Sequence, residues 1–388
     1  MSDVRVAGTG LTPFGNTPDR TGRDLFAEAT IAAFEDSGVP REDVDAVFYG
    51  NFMGELAEHQ GHQGPLMAEA AGVRAPATRY ESACASAGTA VRDAVLQLRN
   101  GEIDVALVGG AERMTNLGTA GATEALAIAA DDLWEVRAGA TFPGAYALMA
   151  RAYFEEYGGD RTDLAHVAVK NHENALTNEK AQYQSEISVD DVLEAPLVSE
   201  PLGLYDSCPL SDGAAALVLT SQEYADEHDL DAPVAITGSG QGGDRMALHG
   251  RAHLARTPAA REAGAEAYVD AGIEPSDVDL AEVHDCFTIA EVLALEALDL
   301  EPIGEGISAA RDGRTTANGE TPVNLSGGLK AKGHPVGATG ASQIAEVAKL
   351  LSRDHPNSEH VEDARIGLAH NAGGTVASAT VHVLEVTR

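Results

Sequence analysis

The sequence predicts an α/β protein built from two copies of one plan, and three observations carry that expectation. Short signatures recur at a nearly constant spacing, apolar residues change between strand-like and helix-like periods, and short apolar runs end at glycines as buried strands do. Gly38-Val39 with Asp43-Val44-Asp45 returns as Gly272-Ile273 with Asp277-Val278-Asp279, 234 residues further on. Val6-Ala7-Gly8-Thr9-Gly10 returns as Ile236-Thr237-Gly238-Ser239-Gly240, 230 residues further on. Two matches in one order at nearly one offset point to duplication. The chain therefore divides into halves 1–230 and 231–388, with the seam in the polar stretch Ser221 to Ala232.

Each half alternates strands and helices. Ala87, Ala90, Val91, Ala94, Val95 and Leu98 fall at helical spacing, and Asn100-Gly101 stops that helix. Val105-Ala106-Leu107-Val108, ended by Gly109-Gly110, is a short buried strand. In the second half Ile344, Val347, Ala348 and Leu351 mark the corresponding helix, and Ile366-Gly367-Leu368-Ala369 the strand after it. Sheets covered by helices on their faces follow. Residues from about 117 to 199 break the rhythm and read as an insertion of the kind that lids a substrate. Gly8-Thr9-Gly10 invites a dinucleotide reading, but Pro13 stands where a helix would open and the third glycine is out of register. Its recurrence as Gly238-Ser239-Gly240 suggests a structural turn in each half.

Composition narrows the function. The 388 residues carry 61 acidic against 26 basic side chains, a formal net charge of −35. Such a surface repels nucleic acid and anionic membranes, so neither is expected as a partner. The acidic residues are dispersed, as in Asp131-Asp132 and Asp190-Asp191, and Lys170, Lys180, Lys330, Lys332 and Lys349 are the only lysines. A dispersed, lysine-poor acidic surface fits a halophilic protein better than an ordinary acidic enzyme. The apolar runs are too short and interrupted for a membrane span, and the start of the chain carries no apolar signal core, so a cytoplasmic location is expected. Cys84, Cys208 and Cys286, an odd number set far apart, suit free thiols in a reducing compartment.

Three segments carry chemistry. In Glu81-Ser82-Ala83-Cys84-Ala85-Ser86-Ala87-Gly88, the cysteine sits where an extended segment turns into a helix. Free N–H groups at a helix start favour a thiolate below the usual pKa of about 8.5, although a small buried core thiol fits the same residues. The run from Asn324 to Gly340 places five glycines and Pro335 around His334, a rigid loop held against a ligand with a histidine suited to general base work. Glu282-Val283-His284-Asp285-Cys286-Phe287-Thr288 follows a strand, so His284 and Cys286 share a face. No second Cys or His pair has ligand spacing, and His59 and His62 read as a solvated loop, so no metal is expected.

These segments, with Lys170-Asn171-His172-Glu173-Asn174-Ala175 and Ser211-Asp212-Gly213-Ala214-Ala215-Ala216, resemble the thiolase superfamily over nearly the whole chain. The sterol-carrier-protein-type thiolases and archaeal acetyl-CoA C-acetyltransferases are the most similar group. The resemblance implies a duplicated five-layered α/β/α/β/α fold with an inserted loop domain. It implies ping-pong acyl transfer between coenzyme A thioesters, with no bound cofactor. Cys84 would be the acylated nucleophile and His334 its base; His284 would help hold the thioester oxygen, and Cys286 would be the second acid/base thiol. The Cys84 and Gly373 N–H groups would form an oxyanion hole. Many thiolases place the second cysteine in a Cys-x-Gly near the C-terminus, whereas this chain has Asn371-Ala372-Gly373. A homodimer or dimer-based oligomer and a small zinc-ribbon/OB-fold subunit are further implications. The alternatives are a ketoacyl-synthase-like condensing enzyme and a non-catalytic acyl-CoA-binding subunit.

Overall fold

Two apolar layers and a central one between them decide where each element lies, and the computed structural model describes residues 3–387. The first half runs β1 (Val4–Leu11), α1 (Gly22–Ser37), β2 (Ala46–Gly50), α2 (Gly54–Ala57), α3 (Gln63–Ala70), β3 (Ala77–Tyr80), α4 (Ser86–Arg99) and β4 (Val105–Glu112). Then come α5 (Gly118–Ala127), α6 (Phe142–Tyr157), α7 (Arg161–Ala175), α8 (Val189–Glu194), the short pair β5 (Leu197–Ser199) and β6 (Leu202–Gly203), and β7 (Gly213–Ser221). After α9 (Gln222–Glu227) the second half runs β8 (Val234–Gly243), α10 (Pro258–Ala271), β9 (Leu280–Glu282), α11 (Thr288–Ala297), α12 (Gly306–Ala309), α13 (Thr339–Ser352), β10 (Ile366–Gly373) and β11 (Ser378–Val386). Among the described residues no helix is long and apolar enough to cross a membrane.

The main sheet has the order β3-β2-β4-β7-β1-β8-β11-β10-β9. Its two parts mirror one another about the β1–β8 junction, which is only Val4↔Ile236 and Arg5↔Ala235. A parallel bridge between Ala281 and Val323 stands where β3 stands in the first half. Side chains on β4 show how the layers arise. Val105, Leu107 and Ala111 pack with Leu25, Phe26 and Ala29 of α1. Ala106 and Val108 point the other way, into a core with Val91 and Ala94 of α4 and Ile344 and Ala345 of α13. That same central core takes Leu280, Ala369 and Leu384 from the second sheet half, while Val381 and Val383 pack outward with Ala259, Ala263 and Ala267 of α10. Helix, sheet, helix, sheet, helix: five layers result, with α4 and α13 side by side in the middle.

The Gly-x-Gly pairs are not turns, contrary to the sequence expectation. They lie inside β1 and β8. A Cβ on Gly10 would stand 1.9 Å from the Ala29 carbonyl oxygen, and one on Gly240 2.0 Å from that of Ala263. Glycine is there because α1 and α10 press their backbones onto the strands. The duplication extends to hydrogen bonds. Asp36 accepts from the Thr9 N–H at 2.7 Å, and Asp270 from the Ser239 N–H at 3.0 Å. Asp45 caps the start of β4 through the Val105 N–H (3.0 Å), as Asp279 caps β10 through that of Ile366 (2.9 Å).

Candidate active site

Cys84 and His334 stand at equivalent places in the two halves, each just before a central helix. A Cβ on Gly340 of α13 would lie 2.3 Å from the Gly88 nitrogen of α4, so the two helices cross at backbone contact. That crossing draws together two loops 250 residues apart in sequence. The turn carrying Cys84 is strained: Ala83 has φ +49, outside the usual range for a residue with a Cβ. Glu81 accepts from the Ala83 N–H at 2.7 Å, and the Ser86 hydroxyl receives the Ser82 N–H at 3.0 Å, so local bonds hold the turn.

The Cys84 sulfur and one ring nitrogen each of His284 and His334 lie within 4.8 Å of one another. The imidazoles meet edge to face, with centroids 5.0 Å apart. Neighbours assign each tautomer. Thr339 donates its hydroxyl to the Pro335 carbonyl at 3.0 Å, so its oxygen accepts from His334 Nδ1 at 2.7 Å. His334 Nε2 is thereby left with its lone pair, as a base requires. Asn371 turns its amide nitrogen to His284 Nδ1 at 3.2 Å. His284 Nε2 then carries the hydrogen, is buried, and has no partner among the described residues. It presents a donor, not the lone pair a metal would need, although these three residues could otherwise form a ligand set.

Burial sets the resting charges. It pushes the Cys84 thiol up to about 12, against the downward pull of the Gly374 N–H turned toward the sulfur. The lowered thiol pKa expected at a helix start is therefore not found, because desolvation outweighs the N–H dipoles. Burial lowers His334 to about 3, and it lowers His284 well below its ordinary value with help from His334 and His370. Thiol and imidazole are both neutral at rest. The N–H facing Cys84 belongs to Gly374, one residue beyond the Gly373 named from the sequence.

Cys286 is buried beside these groups, and the Cys208 N–H donates to its carbonyl at 3.0 Å. Burial pushes the Cys286 thiol well above its ordinary range; Cys208 adds to that push, and the Tyr146 hydroxyl opposes it. The intervening Asp285 anchors the segment. It accepts from the Leu329 N–H at 2.6 Å and from Asn171 Nδ2 at 2.7 Å. Asn171 also reaches Glu291, which pairs with Lys170 at 3.1 Å, so α7 is fastened beneath the His284–Phe287 segment. Ser211 accepts the His334 N–H at 2.9 Å. His59 and His62 are exposed, with φ +53 each, as a solvated loop would have them. All three cysteines are free. A cleft of about 620 Å³ opens beside Cys84, lined by Phe52, Ser82, Ala83, Ile128, Met246 and Gly374. Thr339, Asn371, Gly374 and Tyr146 had no role in the sequence reading, because only their contacts mark them.

A model of the thiolase N-terminal domain matches residues 4–223, and one described as thiolase C-terminal domain-like matches residues 240–386. The chain belongs to the thiolase family. This thiolase is 44% identical over 384 residues to an acetyl-CoA acetyltransferase of Methanothermobacter thermautotrophicus, covering 99% of each chain. It is 40% identical to an acetyl-CoA acetyltransferase of Methanocaldococcus jannaschii over the full length of both. Sterol carrier protein 2 of Rattus norvegicus is 31% identical, with 98% of this chain and 71% of that protein covered. Among solved structures the Ltp2-ChsH2(DUF35) aldolase superposes with a TM-score of 0.83 at 27% identity, covering 100% of this chain and 98% of that one. These likenesses make the chain an acyltransferase and do not favour the condensing-synthase and non-catalytic alternatives.

Proposed function

We propose that this thiolase joins two molecules of acetyl-CoA into acetoacetyl-CoA, or runs the reverse thiolysis, through an acyl-Cys84 intermediate. The observation that carries the residue assignment is the meeting of Cys84, His284 and His334 within 4.8 Å, with His334 Nε2 free to accept a proton. In the first half-reaction His334 takes the Cys84 proton, the sulfur attacks the thioester carbon, and the C–S bond to coenzyme A breaks. The departing thiolate takes the Cys286 proton. His284 Nε2–H, with the N–H groups of Cys84 and of Gly373 or Gly374, stands ready for oxyanions, each donor worth about 3–4 kcal/mol. In the second half-reaction the Cys286 thiolate removes an α-proton from another acetyl-CoA. The carbanion forms a C–C bond to the acyl carbon, Cys84 leaves, and the His334 proton returns to it. Charges thus arise as an imidazolium–thiolate pair, which a site with neutral resting groups requires.

The broader setting draws on resemblance and composition. Halves at 1–230 and 231–388, a loop domain at about 117–199, a dimer or dimer-based oligomer, and a cytoplasmic location complete the reading. A small zinc-ribbon/OB-fold subunit is included, supported by the two-component Ltp2-ChsH2(DUF35) neighbour. A halophilic character is supported by the net charge of −35, and by the five lysines, none of which is exposed. Purified enzyme should thiolyse acetoacetyl-CoA. Cys84→Ala should abolish turnover, and Cys286→Ala, which loses the acid for the departing thiolate, should still be acylated by acetyl-CoA, more slowly, yet fail to condense. Condensation at the normal rate by Cys286→Ala would remove that thiol from the mechanism.

A further inference from the structure

Tyr146 comes from α6, far in sequence from every motif above, yet it is wholly buried against the reacting groups. Its ring stacks on Phe287, the residue after Cys286, with centroids 4.6 Å apart at 25°. Its hydroxyl donates to the Gly374 carbonyl at 3.0 Å, and Tyr146 packs in one buried cluster with Cys286 and Phe287, where its hydroxyl opposes the rise of the Cys286 pKa. One phenol therefore binds the residue whose N–H faces Cys84 and packs in the same cluster as the second thiol. A phenol has a single proton to donate. While Cys286 is a thiol, the Gly374 carbonyl is the better acceptor; once Cys286 is a thiolate, the sulfur is.

We propose that the Tyr146 hydroxyl is a positioning residue for Cys286, turning its proton from the Gly374 carbonyl to the Cys286 sulfur each time that sulfur becomes a thiolate. This rests on the reading of Cys286 as the acid/base thiol. The surroundings give the hydroxyl a distinctive part. Desolvation, Cys208, Cys84 and Asp285 all oppose a negative Cys286, and the Tyr146 hydroxyl is a neutral donor that favours it. Lys330, whose ammonium donates to the Ser207 carbonyl, is the nearby cation on the Cys286 side, and Arg251 the one on the Tyr146 side. No proton leaves the tyrosine. Its O–H bond stays intact, and only the acceptor changes.

Tyr146→Phe keeps the stacked ring and removes the hydroxyl. Losing a hydrogen bond to a charged sulfur should lower the thiolate fraction of Cys286 about tenfold at a given pH. Iodoacetamide labelling of Cys286, read by mass spectrometry of its peptide in a Cys84→Ser/Cys208→Ser background, should slow about tenfold, with its pH profile displaced to the alkaline side. In the otherwise native enzyme, condensation kcat should fall by a similar factor with KM retained. Acetyl exchange between acetyl-CoA and labelled coenzyme A should be slowed to the same extent as condensation or less. Unchanged labelling of Cys286, in a variant whose melting temperature is native, overturns the proposal. Slower labelling with undiminished condensation instead defeats the acid/base reading of Cys286 and leaves the contact standing. Tyr146→Leu separates packing from chemistry: a drop in melting temperature without a further drop in labelling rate supports the hydroxyl, and a tenfold further drop assigns the effect to the ring.

Discussion

Replacing Thr339 by valine tests the tautomer of His334, on which the base assignment depends. The hydroxyl donates to the Pro335 carbonyl and accepts from His334 Nδ1, at 3.0 and 2.7 Å. Valine keeps the shape and removes both bonds. The Nδ1–H then faces a methyl group in a buried site, at a cost of about 1–3 kcal/mol. Moving the proton to Nε2 relieves that cost and leaves no lone pair for the Cys84 proton. Either outcome raises the barrier to acylation by about that amount, so kcat should fall roughly 10- to 100-fold with little change in KM. Thr339→Ser retains the hydroxyl and should stay within about threefold of the native rate. Acetoacetyl-CoA thiolysis, followed by loss of substrate absorbance, reads the rate, and melting curves confirm folding. A valine variant within twofold of native kcat would refute the argument, as would a serine variant equally impaired.

Other expectations follow from burial and close approach. Alanine at Gly10 or Gly240 puts a Cβ about 2 Å from a helix carbonyl, so each should cost about 3 kcal/mol or more in urea unfolding, with similar values at these equivalent sites. Burial lowers His172, His370 and His382 to about 4 and His334 to about 3, and it lowers His284 as well. Unfolding therefore takes up protons below the ordinary histidine pKa of about 6.5. Glu112 and Asp285, raised to about 7 by burial, and Glu282 and Glu296, also raised by burial, release protons on unfolding and offset much of this. Five histidines stand against four acids, so stability should fall as pH drops from about 6.5 to 5, by about 1 kcal/mol per pH unit; a rise in urea midpoints across that range would contradict the burial argument. With a net charge of −35, the melting temperature should rise with added KCl, and a fall would oppose the halophilic reading.

The sequence by itself determined the architecture and the family, and it named the side chains proposed to react. Repeats such as Gly38 and Gly272, and the helical spacing from Ala87 to Leu98, are short-range signals that survive without coordinates. The segment's helix is observed at Ser86–Arg99, and the strand read at Val105–Val108 runs on to Glu112. What the sequence could not determine depends on neighbours distant in the chain. Gly8-Thr9-Gly10 looked like a turn because glycine most often marks one, yet here it admits a helix backbone. The Gly374 N–H turned toward Cys84 was not foreseen beside Gly373, because the course of the β10–β11 connection is not legible in the sequence. The ionisation of Cys84 went the other way from the helix-start expectation, because solvent exclusion is a property of the whole surroundings. Tyr146 was invisible: a tyrosine in a helix carries no chemical signal until folding lays it on Phe287. Local pattern decides which elements form, and long-range packing decides which groups lose water and which atoms meet.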